Sequence, residues 1–257
     1  MTLFTTQVLI IGGGATGTGL ARDLALRNVQ CLLVDQRDVD AGASGANHGL
    51  LHSGARYVSG DAESASHCRE EGSLLKALAP QCVEDTKGLF VAVQGDDERY
   101  IADFGQLCAK CGIPAREITP QRARELEPSL SPRVIAAYEV DDATVDPFKL
   151  ALDNIAQAQA LGSKLLTHTR VVGFEARNRR IEAACLVDTR TGEQHLAHAA
   201  WVVNAAGAWS GEVAAMAGLK LCLLFSKGTL VITHNRLTHR VVNRLRKPSN
   251  ADIIVPG

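Results

Sequence analysis

The sequence lacks the features that most directly assign a protein to a function class. Its formal net charge is only −1, so it has no surplus of basic residues to attract nucleic acid. No apolar run approaches the ~20 residues that a helix needs to span a bilayer. The first residues show no basic stretch followed by the apolar segment of a signal peptide. We therefore expect a cytoplasmic protein that binds no nucleic acid.

Cysteine is present, but not in a pattern that predicts disulfides. The seven cysteines are an odd number scattered along the chain, which is typical of free thiols in a reducing compartment. Cys108 and Cys111 form a CxxC pair, which could be half of a metal site, a redox pair or a structural feature of a helix that ends before Gly112. Because no second CxxC and no paired histidines follow at zinc spacing, we predict no metal site.

The most informative stretch is residues 8–35, VLIIGGGATGTGLARDLALRNVQCLLVD. An apolar run enters a glycine turn, a helical pattern follows, and a second apolar run ends at Asp35, which is the βαβ pattern of dinucleotide-binding proteins. Gly12 allows the tight turn, Gly14 lets the backbone approach a pyrophosphate, and Gly17 lets the helix pack on the sheet. The helix N-terminus would face the phosphates, and Asp35 would accept hydrogen bonds from a ribose. The alternative interpretation is a glycine turn that binds no ligand.

The rest of the chain reads as an alternation of helices and strands. Apolar periodicity, proline and glycine predict helices at 61–79, 97–111, 117–127 and 147–161 and strands at 88–93, 164–174, 181–188, 194–198, 201–204 and 252–255. The three strand runs from 164 to 198 read as an antiparallel meander. The next strand runs into VVNAAG (residues 202–207), which ends in small residues as the first glycine turn does.

The order of these elements resembles the flavoprotein fold of the D-amino-acid-oxidase superfamily. A βαβ unit is followed by an inserted segment, by an antiparallel meander and by a return to the sheet through VVNAAG. More specific segments are similar to the FAD-dependent glycerol-3-phosphate dehydrogenase family of this superfamily, in particular the anaerobic branch. They are SGANHGLLHSGARY (44–57), GDAESASHCREE (60–71), VDPFKL (145–150), FSKGTLVITH (225–234) and NRLRKPSNADIIVPG (243–257). The similarity extends over essentially the whole chain and favours FAD over NAD as the cofactor.

The resemblance implies a set of cofactor-binding residues. These are Gly12, Gly13, Gly14, Ala15, Thr16, Gly17, Asp35, Gln36, Arg37, Ser44, Asn47, His48, Gly49, Leu50, Val171, Ala206 and Gly207. The pyrophosphate would lie on the glycine turn and the ribose on Asp35. The backbone from Ser44 to Leu50 would run under the flavin, and the main chain of Val171 would touch the adenine.

The predicted catalytic residues are His52, Arg56 and Tyr57, and the resemblance implies the last two. His52 is the best candidate for the general base, because histidine titrates near neutral pH; the alternative is a hydrogen bond to the backbone or flavin without a proton role. His48 has a similar but less supported case. Arg56 and Tyr57 would face the substrate, and Arg56 would neutralise its phosphate through paired hydrogen bonds, unless it forms only a surface salt bridge. Lys227 is either a further substrate contact or a solvated side chain.

The C-terminal segment carries a basic cluster that allows two interpretations. It could meet anionic lipid or a partner subunit, or it could be a solvated basic face. The residues of this cluster are Arg236, His239, Arg240, Arg244, Arg246 and Lys247.

The expected fold class is α/β: a Rossmann-like FAD-binding domain with a β-meander, interleaved with an incomplete α+β substrate domain. The FAD-binding parts are expected near 6–60 and 147–215, and the substrate-domain parts near 61–146 and 216–257. Because the family continues through further strands beyond this point, we expect the domain to be incomplete after residue 257, and residues 1–257 alone to bind FAD weakly and turn over little substrate.

The function implied is oxidation of sn-glycerol 3-phosphate to dihydroxyacetone phosphate. A hydride would go to flavin N5, and electrons would pass through partner subunits to a quinone. The protein would be cytoplasmic, with peripheral association at the inner face of the cell membrane. The alternatives are a related flavin enzyme acting on a 2-hydroxy acid or an amine, and a truncated, non-catalytic fragment.

Overall fold

A computed structural model of the chain describes residues 2–178, 180–249 and 252–256. The helices are α1 (Ala15–Leu26), α2 (Ala62–Leu78), α3 (Glu98–Lys110), α4 (Pro120–Leu126), α5 (Pro147–Ala160) and α6 (Ser210–Met216). The strands are β1 (Thr2–Ile11), β2 (Cys31–Val34), β3 (Leu50–Leu51), β4 (Val83–Glu84), β5 (Gly88–Val93), β6 (Ala115–Ile118), β7 (Val134–Val140), β8 (Ala143–Val145), β9 (Lys164–Leu166), β10 (Thr169–Arg177), β11 (Arg180–Asp188), β12 (Gln194–Asn204), β13 (Val241–Arg244) and β14 (Ile253–Ile254). Within the described residues, no helix is both long and apolar enough to cross a bilayer.

The chain forms two compact units, each assembled from two separate stretches. The first unit comprises Met1–Asn47 and Pro147–Thr229, and the second comprises His48–Asp146 and Leu230–Gly257. The division shows that the chain leaves the first unit after the glycine turn and returns to it at α5. Assigning FAD binding and substrate binding to particular stretches remains a prediction.

The first unit is built on a six-stranded sheet in the order β10-β11-β12-β1-β2-β9. β1 lies between β12 and β2 and is parallel to both. Alternate residues of β1 enter two cores: Ile10 packs with α1 and α5, and Leu9 packs on the opposite face with Val213 of α6. Because both faces of the parallel strands are covered, their ends read as continuous apolar runs, as in VLII.

The meander is confirmed, but two of its predicted strands have different limits. The run 164–174 is divided into β9, which is parallel to β2, and β10, which is antiparallel to β11. His168 adopts a left-handed φ of 51° between them, and the two strands lie at opposite edges of the sheet. The runs 194–198 and 201–204 form one strand, β12, because it pairs with β1 along its length.

The second unit holds a five-stranded sheet in the order β14-β13-β5-β7-β6 and a small sheet β3-β8-β4. The ring of Phe104 on α3 lies 4.9 Å from that of Phe90 and 5.1 Å from that of Tyr138, measured between centroids. The predicted helix at 97–111 is confirmed as α3, because Asp97 caps it by accepting the N–H groups of Arg99 and Tyr100. Cys108 and Cys111, at its end, are buried free thiols in the aromatic core.

Several predicted elements of the second unit differ from the structure. The helix expected at 117–127 begins at Pro120, because Thr119 accepts the N–H of Arg122 and residues 115–118 pair with β7 instead. Leu74 and Leu78 of α2 are exposed, and Ala65 and Gly72 are the buried residues of that helix. The strand predicted at 252–255 is reduced to β14.

A buried carboxylate fixes the coil that precedes β13. Glu127, at the end of α4, is 1% exposed, and its Oε1 accepts the backbone N–H groups of His239 and Arg240. Truncation would leave two donors without a partner in a partly buried position.

We expect Glu127→Ala to lower the free energy of unfolding by about 2–4 kcal/mol, and Glu127→Gln to lower it less, because the amide oxygen still accepts. Urea unfolding followed by circular dichroism measures both changes. The matched control is Glu125→Ala on the same helix, whose exposed pair with Arg122 should contribute less than ~1 kcal/mol. Equal effects of the alanine variants at 125 and 127 would contradict this role.

Candidate cofactor site

The glycine turn between β1 and α1 is closed so tightly that two of its positions exclude a side chain. Gly12 has a φ of +115°, and a Cβ there would lie 2.4 Å from the carbonyl oxygen of Ala205. A Cβ on Gly17 would lie 1.9 Å from the oxygen of Gly12. These are backbone contacts that cannot yield, so glycine is required at both positions.

The start of α1 presents backbone donors next to this turn. Gly14 precedes the helix and supplies no side-chain cap. Ser44 accepts the N–H of Ala15 at 2.9 Å, which ties the loop after β2 to the helix start. A helix N-terminus of this kind favours an anion, because its first N–H groups have no intrahelical acceptor.

Asp35 follows β2 and is held on both of its carboxylate oxygens. Oδ2 accepts the N–H of Gly13 at 2.7 Å, and Oδ1 accepts the N–H of Arg37 at 2.8 Å. Each oxygen keeps a further lone pair for a ligand. The acid at the end of the second strand is therefore preoriented at the cavity wall, as a ribose diol would require.

The glycine turn, Asp35 and the VVNAAG return line one cavity of the first unit. The predicted cofactor residues among its lining are Gly12, Gly14, Ala15, Thr16, Asp35, Gln36, Arg37, Ser44, Val171, Ala206 and Gly207. Gly13 and Gly17 are buried behind this wall, and Asn47 is exposed in the same unit. His48, Gly49 and Leu50 belong to the second unit. That these residues bind a cofactor remains a prediction.

The same cavity has lining residues that were not predicted from the sequence. They include Gly42, Ala43, Thr169, Arg170, Ala208, Trp209, Glu212, Val213 and Met216. The last four lie at positions 209, 212, 213 and 216, the spacing of one face of a helix. The helical pattern after VVNAAG could therefore have identified them.

Asp40 is a buried carboxyl beside this cavity. Its side chain is 2% exposed, and neither oxygen has a hydrogen-bond donor among the described residues. Burial, together with the smaller effect of the negative charge of Asp35, raises the pKa of Asp40 to about 6. Because the folded-state pKa lies above the ordinary value, the contribution of this group to stability is complete below about pH 4 and is lost as pH rises through 6.

We expect Asp40→Asn to stabilise the protein at pH 8 by up to about 3 kcal/mol, because it removes a buried, unpaired charge. Near pH 4 the variant and the parent should differ little. Thermal unfolding between pH 4 and 8 measures the difference. Asp38→Asn, an exposed change in the same loop, is the control and should show no such pH-dependent gain; a gain that does not vary with pH would contradict the titration of Asp40.

The predicted catalytic residues of the second unit form one cluster. The ring centroid of His52 lies 5.4 Å from that of Tyr57 and 6.2 Å from that of His48. Burial, and to a smaller extent the nearby His48 and Arg56, lowers the pKa of His52 to about 4. The imidazole of His52 is consequently neutral at pH 7 and can accept a proton.

Arg56 is held by the C-terminal segment. Its side chain is 17% exposed, and one terminal nitrogen donates to the carbonyl of Ser249 at 3.1 Å and lies 4.0 Å from Asp252. The buried Asp252 carboxylate also accepts from Arg246. Arg56 is therefore not a loosely paired surface residue. Lys227 is exposed in the first unit and lies in a coil, not after a strand, since residues 219–240 contain no strand.

Four arginines of the basic cluster in the C-terminal segment each form an ion pair with a different carboxylate. Arg236 pairs with Glu84, Arg240 with Glu139, Arg244 with Asp96, and Arg246 with Asp252. These carboxylates come from several elements of the second unit. Each of these four arginines thus has a carboxylate partner within the second unit, and both interpretations of the cluster stay predictions.

Comparison with known proteins identifies the class to which this arrangement belongs. A profile described as FAD dependent oxidoreductase matches residues 7–256. The chain belongs to this family, which confirms the α/β flavoprotein fold and FAD, rather than NAD, as the cofactor.

Individual relatives show which members of this family the chain resembles. The A subunit of anaerobic glycerol-3-phosphate dehydrogenase from Escherichia coli K12 is 46% identical over 253 residues, which cover 98% of this chain and 47% of that protein. The predicted family resemblance is confirmed. The chain spans about half the length of the curated relatives it matches.

Solved structures agree on the fold. Glycine oxidase from Geobacillus kaustophilus has a TM-score of 0.77 at 22% identity, covering 98% of this chain and 68% of that one. The glycerol-3-phosphate dehydrogenase from Bacillus halodurans complexed with FAD has a TM-score of 0.62 at 23% identity, covering 84% of this chain and 36% of that one. At these identities the likeness concerns the fold alone.

Proposed function

We propose that this protein binds FAD in its first unit and oxidises sn-glycerol 3-phosphate to dihydroxyacetone phosphate. The observation that carries the proposal is the 46% identity, across 98% of the chain, to a protein named as the A subunit of anaerobic glycerol-3-phosphate dehydrogenase. The glycine turn, the start of α1 and the preoriented Asp35 support the cofactor part. The clustering of His52, Arg56 and Tyr57 supports the substrate part.

The residues of the first unit fit the adenosine diphosphate part of FAD. The turn at Gly12 and Gly14 leaves room for a pyrophosphate against the start of α1, and Asp35 offers acceptors for the ribose hydroxyls. FAD, when bound, supplies the two-electron acceptor for oxidation of the alcohol. The protein contributes binding, orientation and proton transfer.

The proposed proton acceptor is His52. Its imidazole is neutral at pH 7, but a pKa of about 4 makes it a weak base in the free protein. Arg56 contributes to that low value through its positive charge. An anionic phosphate bound to Arg56 would offset this charge and raise the pKa of His52, so substrate binding would strengthen the base.

Arg56 is the proposed phosphate ligand. A guanidinium group matches the planar pair of acceptors that a phosphate offers, and the N–H groups not used toward Ser249 and Asp252 are available for it. Tyr57 follows it on the same short helical turn. Lys227 is retained as a further proposed substrate contact.

The proposed partners are further subunits that accept electrons from the flavin and pass them to a quinone. The relatives are themselves named as one subunit of an enzyme, which supports an assembly of several different chains. We further propose that the complex lies in the cytoplasm and associates peripherally with the inner face of the cell membrane.

The cofactor part is tested by reconstituting the purified protein with excess FAD. We expect saturable FAD binding, measured at equilibrium as quenching of flavin fluorescence, and its loss in Gly17→Ala, because the added Cβ meets the oxygen of Gly12. Gly19→Ala on the same helix is the matched control, since a Cβ there has no atom within 4 Å. Circular dichroism checks that both variants fold. Tight NAD binding without any flavin would contradict the proposal.

The substrate part is tested in dye-coupled assays of the complete enzyme. Arg56→Ala should lower kcat/KM for glycerol 3-phosphate and leave flavin content unchanged. The expected decrease corresponds to a loss of about 2–5 kcal/mol of transition-state binding. Arg56→Lys should recover part of the loss, because it keeps the charge but not the paired geometry. Arg122→Ala, an exposed arginine of α4, serves as the control. A normal kcat/KM in Arg56→Ala would remove Arg56 from the substrate site.

A further inference from the structure

Two side chains meet across the cavity of the first unit. The guanidinium carbon of Arg37 lies 5.2 Å from the ring centroid of Trp209, within the range of a cation–π contact. Both residues line the cavity, and both are exposed. Each therefore has one side toward the cavity and one toward solvent.

The backbones that carry these side chains are fixed independently of each other. The N–H of Arg37 donates to Asp35, and its carbonyl accepts from His168, both at 2.8 Å. The N–H of Trp209 donates to the carbonyl of Ala206 at 2.9 Å. Because none of these backbone hydrogen bonds joins the two loops to each other, we expect the Arg37–Trp209 contact to open by side-chain rotation alone.

A close neighbour on the same wall leaves little space behind the indole. A Cβ added to Gly42 would lie 3.4 Å from Cζ3 of the Trp209 ring, which is already a tight contact. The side chain of Asn204 also braces the return turn, donating to Ser210 and accepting from Ala206. The indole thus lies between the loop after β2 and the cavity that it lines.

We propose that Arg37 and Trp209 form a bracket that retains a bound nucleoside diphosphate, with the indole in direct contact with the ligand. This inference rests on the proposed FAD site and adds a nucleotide contact, Trp209, to it. The chemistry of the pair suits such a ligand, since the guanidinium attracts the diphosphate charge and the indole offers a flat surface to a base or ribose. A bracket of side chains opens quickly, so it should slow dissociation more than association.

The test uses ADP as the probe, because ADP needs only the adenosine diphosphate part of the site. The chain has two tryptophans, so Trp201→Phe leaves Trp209 as the sole indole reporter. We expect ADP to change the emission of Trp209 with the dissociation constant that calorimetry measures. The exchange itself lies on β12 at a highly exposed position and should leave ADP affinity unchanged.

Substitution of each bracket residue gives the second readout. Trp209→Ala should weaken ADP binding and speed FAD release about tenfold, and Arg37→Met about threefold, with association rates changed less than about twofold. The double variant should lose less than the product of the single losses, because each single change already breaks the shared contact. Circular dichroism identifies any variant that fails to fold, and the emission test does not depend on these variants.

Two outcomes separate this inference from the proposed function. In the first, calorimetry detects ADP binding, the emission of Trp209 does not change, and Trp209→Ala binds ADP with unchanged affinity. This result would overturn the bracket but not the nucleotide site. Failure of the parent protein to bind either ADP or FAD would overturn both.

Discussion

The close approach of three loops at the carboxyl ends of β1, β2 and β12 is the constraint on which the first unit depends. Gly12 donates its N–H to Val34 at the end of β2, and Ala205 donates to Ile11 at the end of β1, both at 2.8 Å. These bonds bring the Ala205 carbonyl to where a Gly12 side chain would be. The parallel pairing of β1 with both neighbours thus creates the cavity, and the missing Cβ atoms keep it open.

Charge in the second unit is organised around buried carboxylates. Asp142 accepts the N–H of Ser53 and the amide of Asn243, Glu127 accepts two backbone N–H groups, and Asp252 lies between Arg56 and Arg246. Asp142 and Asp252 thereby hold the segment that carries His52 and Arg56. An anion arriving at Arg56 would meet a guanidinium that is already oriented, which lowers the entropic cost of binding.

The cavity region of the first unit and the histidine cluster of the second each contain a titratable group whose pKa is shifted by burial. In the cavity, Asp35 is satisfied by two N–H groups, whereas Asp40 behind it has no described partner and its pKa is raised to about 6. In the cluster, burial and nearby positive charges keep His52 neutral. For the buried acid and for the buried base, the pKa shifts toward the uncharged form, since neither is supplied with a counter-charge.

The sequence by itself determined the features that depend on neighbours along the chain. The glycine turn, Asp35 at the end of β2, the caps of α3 and the limits of β5 are local, so residue order and spacing were enough to predict them. The prediction of FAD rather than NAD followed from combining the glycine turn with VVNAAG. The tertiary structure then showed that the strand ending in VVNAAG pairs with β1. The tertiary structure alone decided the merging of β12 into one strand, the burial of Asp40, the contact of Arg37 with Trp209 and the pairing of the C-terminal arginines. Apart from the Arg246–Asp252 pair, these depend on residues distant in sequence, and only the folded chain determines which of them meet.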